Sequence, residues 1–256
     1  MNLGLDGKVV IISGSSRGIG LGIAGVLLAE GARVVLTGRD ETSLEAAFGQ
    51  CDSRYPGQVT RCAGDLNDPS ALRAVEAEAL RNWPGIDGIV ANAGAVKPIA
   101  EWDITEADWD WYRQANFEVA RRFIQHFTPR LKTSRGCVVV INSIAGIADV
   151  GAPLPYSSAK SALKMYAASL ARRLARDGVR VNTIAPGNIR FPGGNWAERE
   201  ATGPESVRRM LEERVPLRRF GTPEEIGQMT AFLLSDKAAF MTGSCVVVDG
   251  GQTAGL

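Results

Sequence analysis

The chain has 256 residues, 45% of them hydrophobic and 22% charged, with a formal net charge of +1. This suits one large α/β domain or two small ones with an ordinary core, and the scattered arginine pairs read as solvated faces, so no nucleic-acid partner is expected. Cys51, Cys62, Cys137 and Cys245 lie far apart and the single histidine, His126, has no clustered ligands, which excludes a zinc site and points to a reducing, cytoplasmic setting.

The start, Met1 to Lys8, is too short and polar for a signal peptide, and no apolar run reaches the ~18 residues of a membrane span. Apolar runs of strand length then alternate with amphipathic segments of helix length. In chain order the pattern predicts a strand over Lys8–Ser13, a helix over Gly18–Glu30, a strand over Arg33–Thr37 and a helix over Glu41–Gln50. Next come the strand Val59–Ala63, the helix Pro69–Arg81, the strand Gly88–Ala91 and a long helix Glu106–Leu131. The strand Cys137–Asn142, helix Tyr156–Asp177, strand Val179–Ile184, helices Pro204–Glu213 and Pro223–Ser235 and strand Cys245–Val248 complete the set.

The strands are continuous Val/Ile runs, as expected of strands covered on both faces. Strand–helix alternation without a linker or repeat predicts one α/β domain over 1–256, a doubly wound parallel sheet of about seven strands. From Gly187 to Gly221 the rhythm breaks around Pro192, Gly193, Gly194, Gly203, Pro204 and Pro216, with one short helix expected. An excursion at the carboxyl end of a late strand is where such an enzyme builds a substrate lid.

The first strand runs through Ser13-Gly14-Ser15-Ser16-Arg17-Gly18-Ile19-Gly20 into a helix. A glycine-rich turn at a helix amino terminus suits a diphosphate, because free N–H groups and the helix dipole favour an anion. At the second strand's tip, Gly38-Arg39-Asp40 offers two readings. An acid there would hold the ribose hydroxyls of NAD, whereas an arginine favours the extra phosphate of NADP. Asp40 equally suits a helix N-cap, and Arg17 with Arg39 puts two cations around one pocket. NADP(H) is therefore favoured, with NAD(H) as the alternative.

Tyr156 and Lys160 stand four apart at the start of a long helix, on one face. A phenol with an ordinary pKa of ~10 is a poor base, and a nearby ammonium is expected to lower that value. Asn142-Ser143 ends a strand at the same carboxyl edge as the glycine turn.

These motifs, taken together, resemble the short-chain dehydrogenase/reductase family end to end. Its Thr-Gly-x3-Gly-x-Gly is similar to Ser13 to Gly20, with serine for threonine. Its Asn-Asn-Ala-Gly is similar to Ala91-Asn92-Ala93-Gly94, with the first asparagine lost. The resemblance implies a catalytic tetrad of Asn116, Ser143, Tyr156 and Lys160. It implies cofactor contacts at Gly14, Ser16, Arg17, Gly18, Ile19, Gly20, Arg39, Asp65, Leu66, Asn92, Ala93 and Gly94, and at Pro186, Gly187 and Ile189 after the sixth strand. Relatives that use NAD carry an acid where Gly38 stands, which again favours NADP. Many relatives place a threonine shortly after Pro-Gly, and Asn188 to Pro192 carries none, so that carboxamide contact is unassigned. The resemblance further implies a homo-oligomer, a tetramer through the long helices and the last strand.

The expected activity is interconversion of a small-molecule carbonyl and a secondary alcohol, without a metal. A cyclic ketone, a sugar or a 3-oxoacyl thioester all suit the loop Phe191 to Trp196. A non-catalytic dinucleotide-binding regulator and an epimerase working through a transient ketone are the competing classes. His126 reads as an exposed or helix-packing residue, Trp102, Trp109 and Trp111 as a packing cluster, and Trp196 as a loop residue that could reach substrate.

Overall fold

Seven strands pair in parallel in the order β3-β2-β1-β4-β5-β6-β7 in the computed structural model, which describes residues 2–97, 99 and 102–253. The strands are β1 (Val9–Ile12), β2 (Arg33–Gly38), β3 (Val59–Ala63), β4 (Gly88–Ala91), β5 (Cys137–Ile141), β6 (Arg180–Pro186) and β7 (Cys245–Val248). β1, β4 and β5 are buried along their whole length, which is why their sequences do not alternate. Their side chains still alternate between two core layers. Ile11, Ile89, Val138 and Val140 join Phe123, Phe127 and Leu163 on one face. Val10, Ile12, Val90 and Val139 join Leu27, Leu28 and Ile226 on the other.

The helices are α1 (Gly18–Ala29), α2 (Glu41–Asp52), α3 (Pro69–Asn82), α4 (Glu106–Arg113), α5 (Val119–Ser134), α6 (Leu154–Leu174), α7 (Asn195–Thr202), α8 (Pro204–Arg214) and α9 (Pro223–Leu234). Predicted and observed strands agree within two residues at every end. Two helical expectations are corrected. The segment expected as one helix over Glu106–Leu131 is broken by a π turn at Gln114–Glu118, a local widening that hydrophobic periodicity does not announce. The 187–221 excursion carries two helices, not one: α7 buries no residue and so leaves no apolar stripe to read. α6 begins two residues before Tyr156, because Pro155 fits a helical first turn that needs no N–H donor.

The strand order reverses between β1 and β4. That switch point opens a crevice at the carboxyl ends of these two strands, where α/β sheets bind ligands. The excursion after β6 is tied at its base, Arg190 N–H to Gly221 C=O and Gly221 N–H to Asn188 C=O, each 3.0 Å.

Candidate active site

The turn after β1 forms one wall of the crevice. Gly14 has φ +65°, and a Cβ there would stand 3.0 Å from Ala93 Cα, so glycine is required on both counts. Ser13, where the family has threonine, is buried, and its hydroxyl accepts from the N–H groups of Asn92 (2.9 Å) and Ala93 (3.0 Å). Asn92 answers by donating its side-chain amide to the carbonyls of Ser13 (3.0 Å) and Gly14 (2.8 Å). The ends of β1 and β4 are thus stitched into one rigid edge. The amino terminus of α1 has no side-chain cap, so its first-turn N–H groups face the crevice.

At the tip of β2 the two readings of Asp40 separate. Its carboxylate caps α2 by accepting the Ser43 N–H at 2.8 Å, a bond that also lowers its pKa together with the stronger Ser43 hydroxyl bond. Arg17 and Arg39 are exposed, and among the described residues neither has a carboxylate partner. At the tip of β3, Asp65 accepts from Asn67 N–H (2.9 Å) and Nδ2 (3.2 Å), shaping the turn that holds Leu66.

Asn116 lies in the π turn, fully buried. Its Oδ1 accepts from Ala95 N–H (3.0 Å), and its Nδ2 donates to the carbonyls of Ala95 (2.8 Å) and Tyr112 (3.2 Å). After β5, Ser143 caps a short 3-10 turn by accepting Ala145 N–H at 3.1 Å. On α6, Lys160 is 3% exposed and donates from Nζ to Ile141 C=O at 3.2 Å. Its Nζ stands 5.8 Å from the Tyr156 ring centroid.

Burial lowers Lys160 to about 8. Burial also pushes the Tyr156 phenol above its ordinary range, with a hydrogen bond to Ser143 working the other way. The expected downward pull of Lys160 is not among the influences on this phenol, and burial outweighs the Ser143 hydrogen bond.

One cleft of about 440 Å³ joins these elements. Of the expected residues, Gly14, Ser16, Arg17, Gly18, Ile19, Arg39, Asp65, Leu66, Asn92, Ala93, Gly94, Asn116, Tyr156 and Lys160 line it. Ser143 does not line it, but follows directly on Asn142, which does. Gly20, Pro186, Gly187 and Ile189 do not line it. A Cβ on Gly20 would meet Gly14 O, one on Gly187 would meet Asp249, and Ile189 is buried beside Gly221.

A dinucleotide fits this cleft. The uncapped α1 terminus suits a diphosphate. A side chain on Gly94 would crowd Asn116 Oδ1 (3.0 Å) and Lys160 Nζ (3.4 Å) and fill the space beside the tyrosine. Sequence reading missed Val96, Ala115 and Val119 in the lining, because apolar residues flanking a motif look like core. His126 packs α5 against Glu76 (2.8 Å), as expected. Trp102 is 86% exposed, so it does not join the expected tryptophan cluster. Trp196 packs on Phe220, with centroids 5.4 Å apart, and does not line the cleft, whereas Phe191 does.

A family model described as enoyl-(acyl carrier protein) reductase matches residues 14–253. The oxidoreductase UcpA of Salmonella typhimurium is 33% identical over 257 residues, covering 97% of this chain and 95% of that protein. The L-sorbose reductase of Gluconobacter frateurii, solved with NADPH and L-sorbose, superposes with a TM-score of 0.92 at 30% identity over 100% of both chains. A short-chain type dehydrogenase/reductase from Mycobacterium marinum superposes at 0.86 with 26% identity, over 98% of this chain and 96% of its own. Matches that run from the glycine turn through the last strand leave one assignment: the chain belongs to the short-chain dehydrogenase/reductase family.

Proposed function

We propose that the protein is an NADP(H)-dependent ketoreductase that interconverts a carbonyl and a secondary alcohol, with Tyr156 as the acid in reduction and the base in oxidation. The observation that carries this reading is the meeting of Tyr156, Lys160 and Asn116 in the cleft that begins at the uncapped α1 terminus, with Ser143 on the turn that follows the lining residue Asn142. The nicotinamide, when bound, gives or takes the hydride. Ser143 orients the substrate oxygen, and the Tyr156 phenol delivers its proton there. A phenol held protonated by burial suits proton donation. Lys160, anchored on Ile141 C=O, places its ammonium beside the tyrosine ring, where it would hold the ribose hydroxyls of a bound cofactor. Asn116 fixes the loop above them.

NADP(H) is favoured over NAD(H) by three observations: Arg17 and Arg39 flank the cleft, Gly38 offers no carboxylate, and Asp40 is committed to α2. The NADPH complex of L-sorbose reductase is consistent with this. The 187–221 excursion, tied at Asn188–Gly221 and with Phe191 on the cleft, acts as a substrate lid.

The chain works in the cytoplasm as a homotetramer. Supporting surfaces are an open groove over Pro129, Tyr166 and Leu170 between α5 and α6, exposed Met165, and the β7 edge with exposed Phe240 and Val247. A screen of cyclic ketones, sugars and 3-oxoacyl thioesters with NADPH and NADH tests the function. NADPH oxidation by at least one carbonyl class supports it, and tight NADPH binding with no turnover of any would favour a non-catalytic regulator.

A further inference from the structure

The loop from β4 to α4 crosses the cleft, and Gly94, Ala95 and Val96 all line it. Two side chains one helical turn apart grip this loop in the same manner. Asn116 accepts the N–H of Ala95 and donates to its C=O. The phenol of Tyr112 accepts the N–H of Lys97 (3.2 Å) and donates to its C=O. Residues four apart on a helix are separated by about 6 Å along the axis, and alternate residues of an extended chain by about 6.6 Å. The two side chains therefore meet the polar edges of alternate loop residues as a neighbouring strand would. Val96, held between the two gripped residues, lines the cleft and is 45% exposed.

Tyr112 is the point where these contacts converge. It is fully buried. Its carbonyl accepts the Asn116 amide, linking the two grips. Its ring meets the Tyr156 ring edge-on, with centroids 6.3 Å apart and planes at 68°. From outside, Lys97 Nζ pairs with Asp108 at 2.8 Å and lies 4.9 Å over the Trp111 ring. Lys97 is thus held at its backbone and at its tip.

We propose that Tyr112 is a positioning residue: its hydroxyl holds the 94–97 loop as a fixed rail, and its ring holds the Tyr156 phenol. Val96 then forms a specificity-setting wall of the substrate subsite on the side of the proton donor. The proposal rests on the ketoreductase reading of Tyr156.

Amide hydrogen exchange on the wild-type protein tests the rail without any variant. The amides of Ala95 and Lys97 are slow and that of Val96 is fast. Tyr112→Phe keeps the ring but frees Lys97. Its Lys97 amide exchanges at least roughly tenfold faster and KM for the carbonyl rises roughly tenfold, about the worth of one hydrogen bond, while kcat and NADPH affinity stay within about twofold. Tyr112→Leu also removes the support for Tyr156 and lowers kcat. A Lys97 amide as fast as that of Val96 in the wild type overturns the proposal. So does Tyr112→Phe that frees Lys97 and leaves KM unchanged. Turnover by the wild type separates the two ideas: an inactive protein with the alternating exchange pattern refutes the ketoreductase reading, and an active one without it refutes the role of Tyr112.

Discussion

Arg39→Ala isolates the 2′-phosphate contact. Arg39 is exposed on the cleft and has no carboxylate partner among the described residues, so its removal leaves no buried ion unpaired. Two unit charges 4 Å apart attract by ~1 kcal/mol in water and ~4 kcal/mol at an effective dielectric of 20. An exposed guanidinium belongs near the lower figure, and a hydrogen bond to a charged group is worth ~1.5–3 kcal/mol. The expected loss is therefore ~1–3 kcal/mol, or roughly 5- to 150-fold in Kd for NADPH. NADH affinity stays unchanged, because it lacks the phosphate. Titration of NADPH and NADH by cofactor fluorescence measures both. The gap between the two cofactors narrows toward ~1 M salt, where the Debye length falls to ~3 Å. Gly38→Asp is the converse. The new Cβ stands 3.2 Å from Ser16 Cβ and Oγ, a contact a small shift relieves, and the carboxylate then repels the phosphate and favours NADH. Equal losses for both cofactors in Arg39→Ala, or a wild type that binds NADH as tightly as NADPH, would refute the reasoning and return the ribose to an acid.

Ser13→Ala strips the acceptor from the Asn92 and Ala93 amides; it should cost ~1–3 kcal/mol in urea unfolding and weaken NADPH binding, and a neutral result would show that the stitched edge is not set by this hydroxyl. Lys160→Met gives a pH-dependent signature. A lysine at about 8 in the fold against 10.5 in the free side chain binds fewer protons than the unfolded chain between those values, so wild-type stability gains with rising pH across that window. Relative to Lys160→Met, the wild type should therefore gain of order 3 kcal/mol from pH 8 to 10.5, and a flat difference in unfolding free energy would contradict a buried ammonium. Light scattering at micromolar concentration should give a tetramer mass; a monomer mass would leave the α5–α6 groove and the β7 edge unexplained.

The sheet was legible because its central strands are apolar on both faces, and the glycine turn because its spacing is set by backbone approach. Tyr156 and Lys160 were legible from an i,i+4 spacing that a helix converts directly into proximity. The π turn was not, since Asn116 sits in a continuous amphipathic pattern and only its grip on Ala95 reveals the register change. Tyr112 was hidden for a related reason. An aromatic among Trp109 and Trp111 reads as packing, and its partner is a backbone that no sequence pattern marks. The upward shift of Tyr156 was missed because charge spacing is visible in a sequence and desolvation is not.

The central claim is that the Tyr156 hydroxyl moves the proton, and Tyr156→Phe tests it most directly. The change deletes one oxygen and keeps the ring that meets Tyr112. Steady-state reduction of the best carbonyl with saturating NADPH, followed across pH, is the measurement. The account predicts a loss of ~10²–10⁴ in kcat with NADPH affinity unchanged. A variant that binds NADPH and retains near-wild-type kcat across pH would place the acid elsewhere.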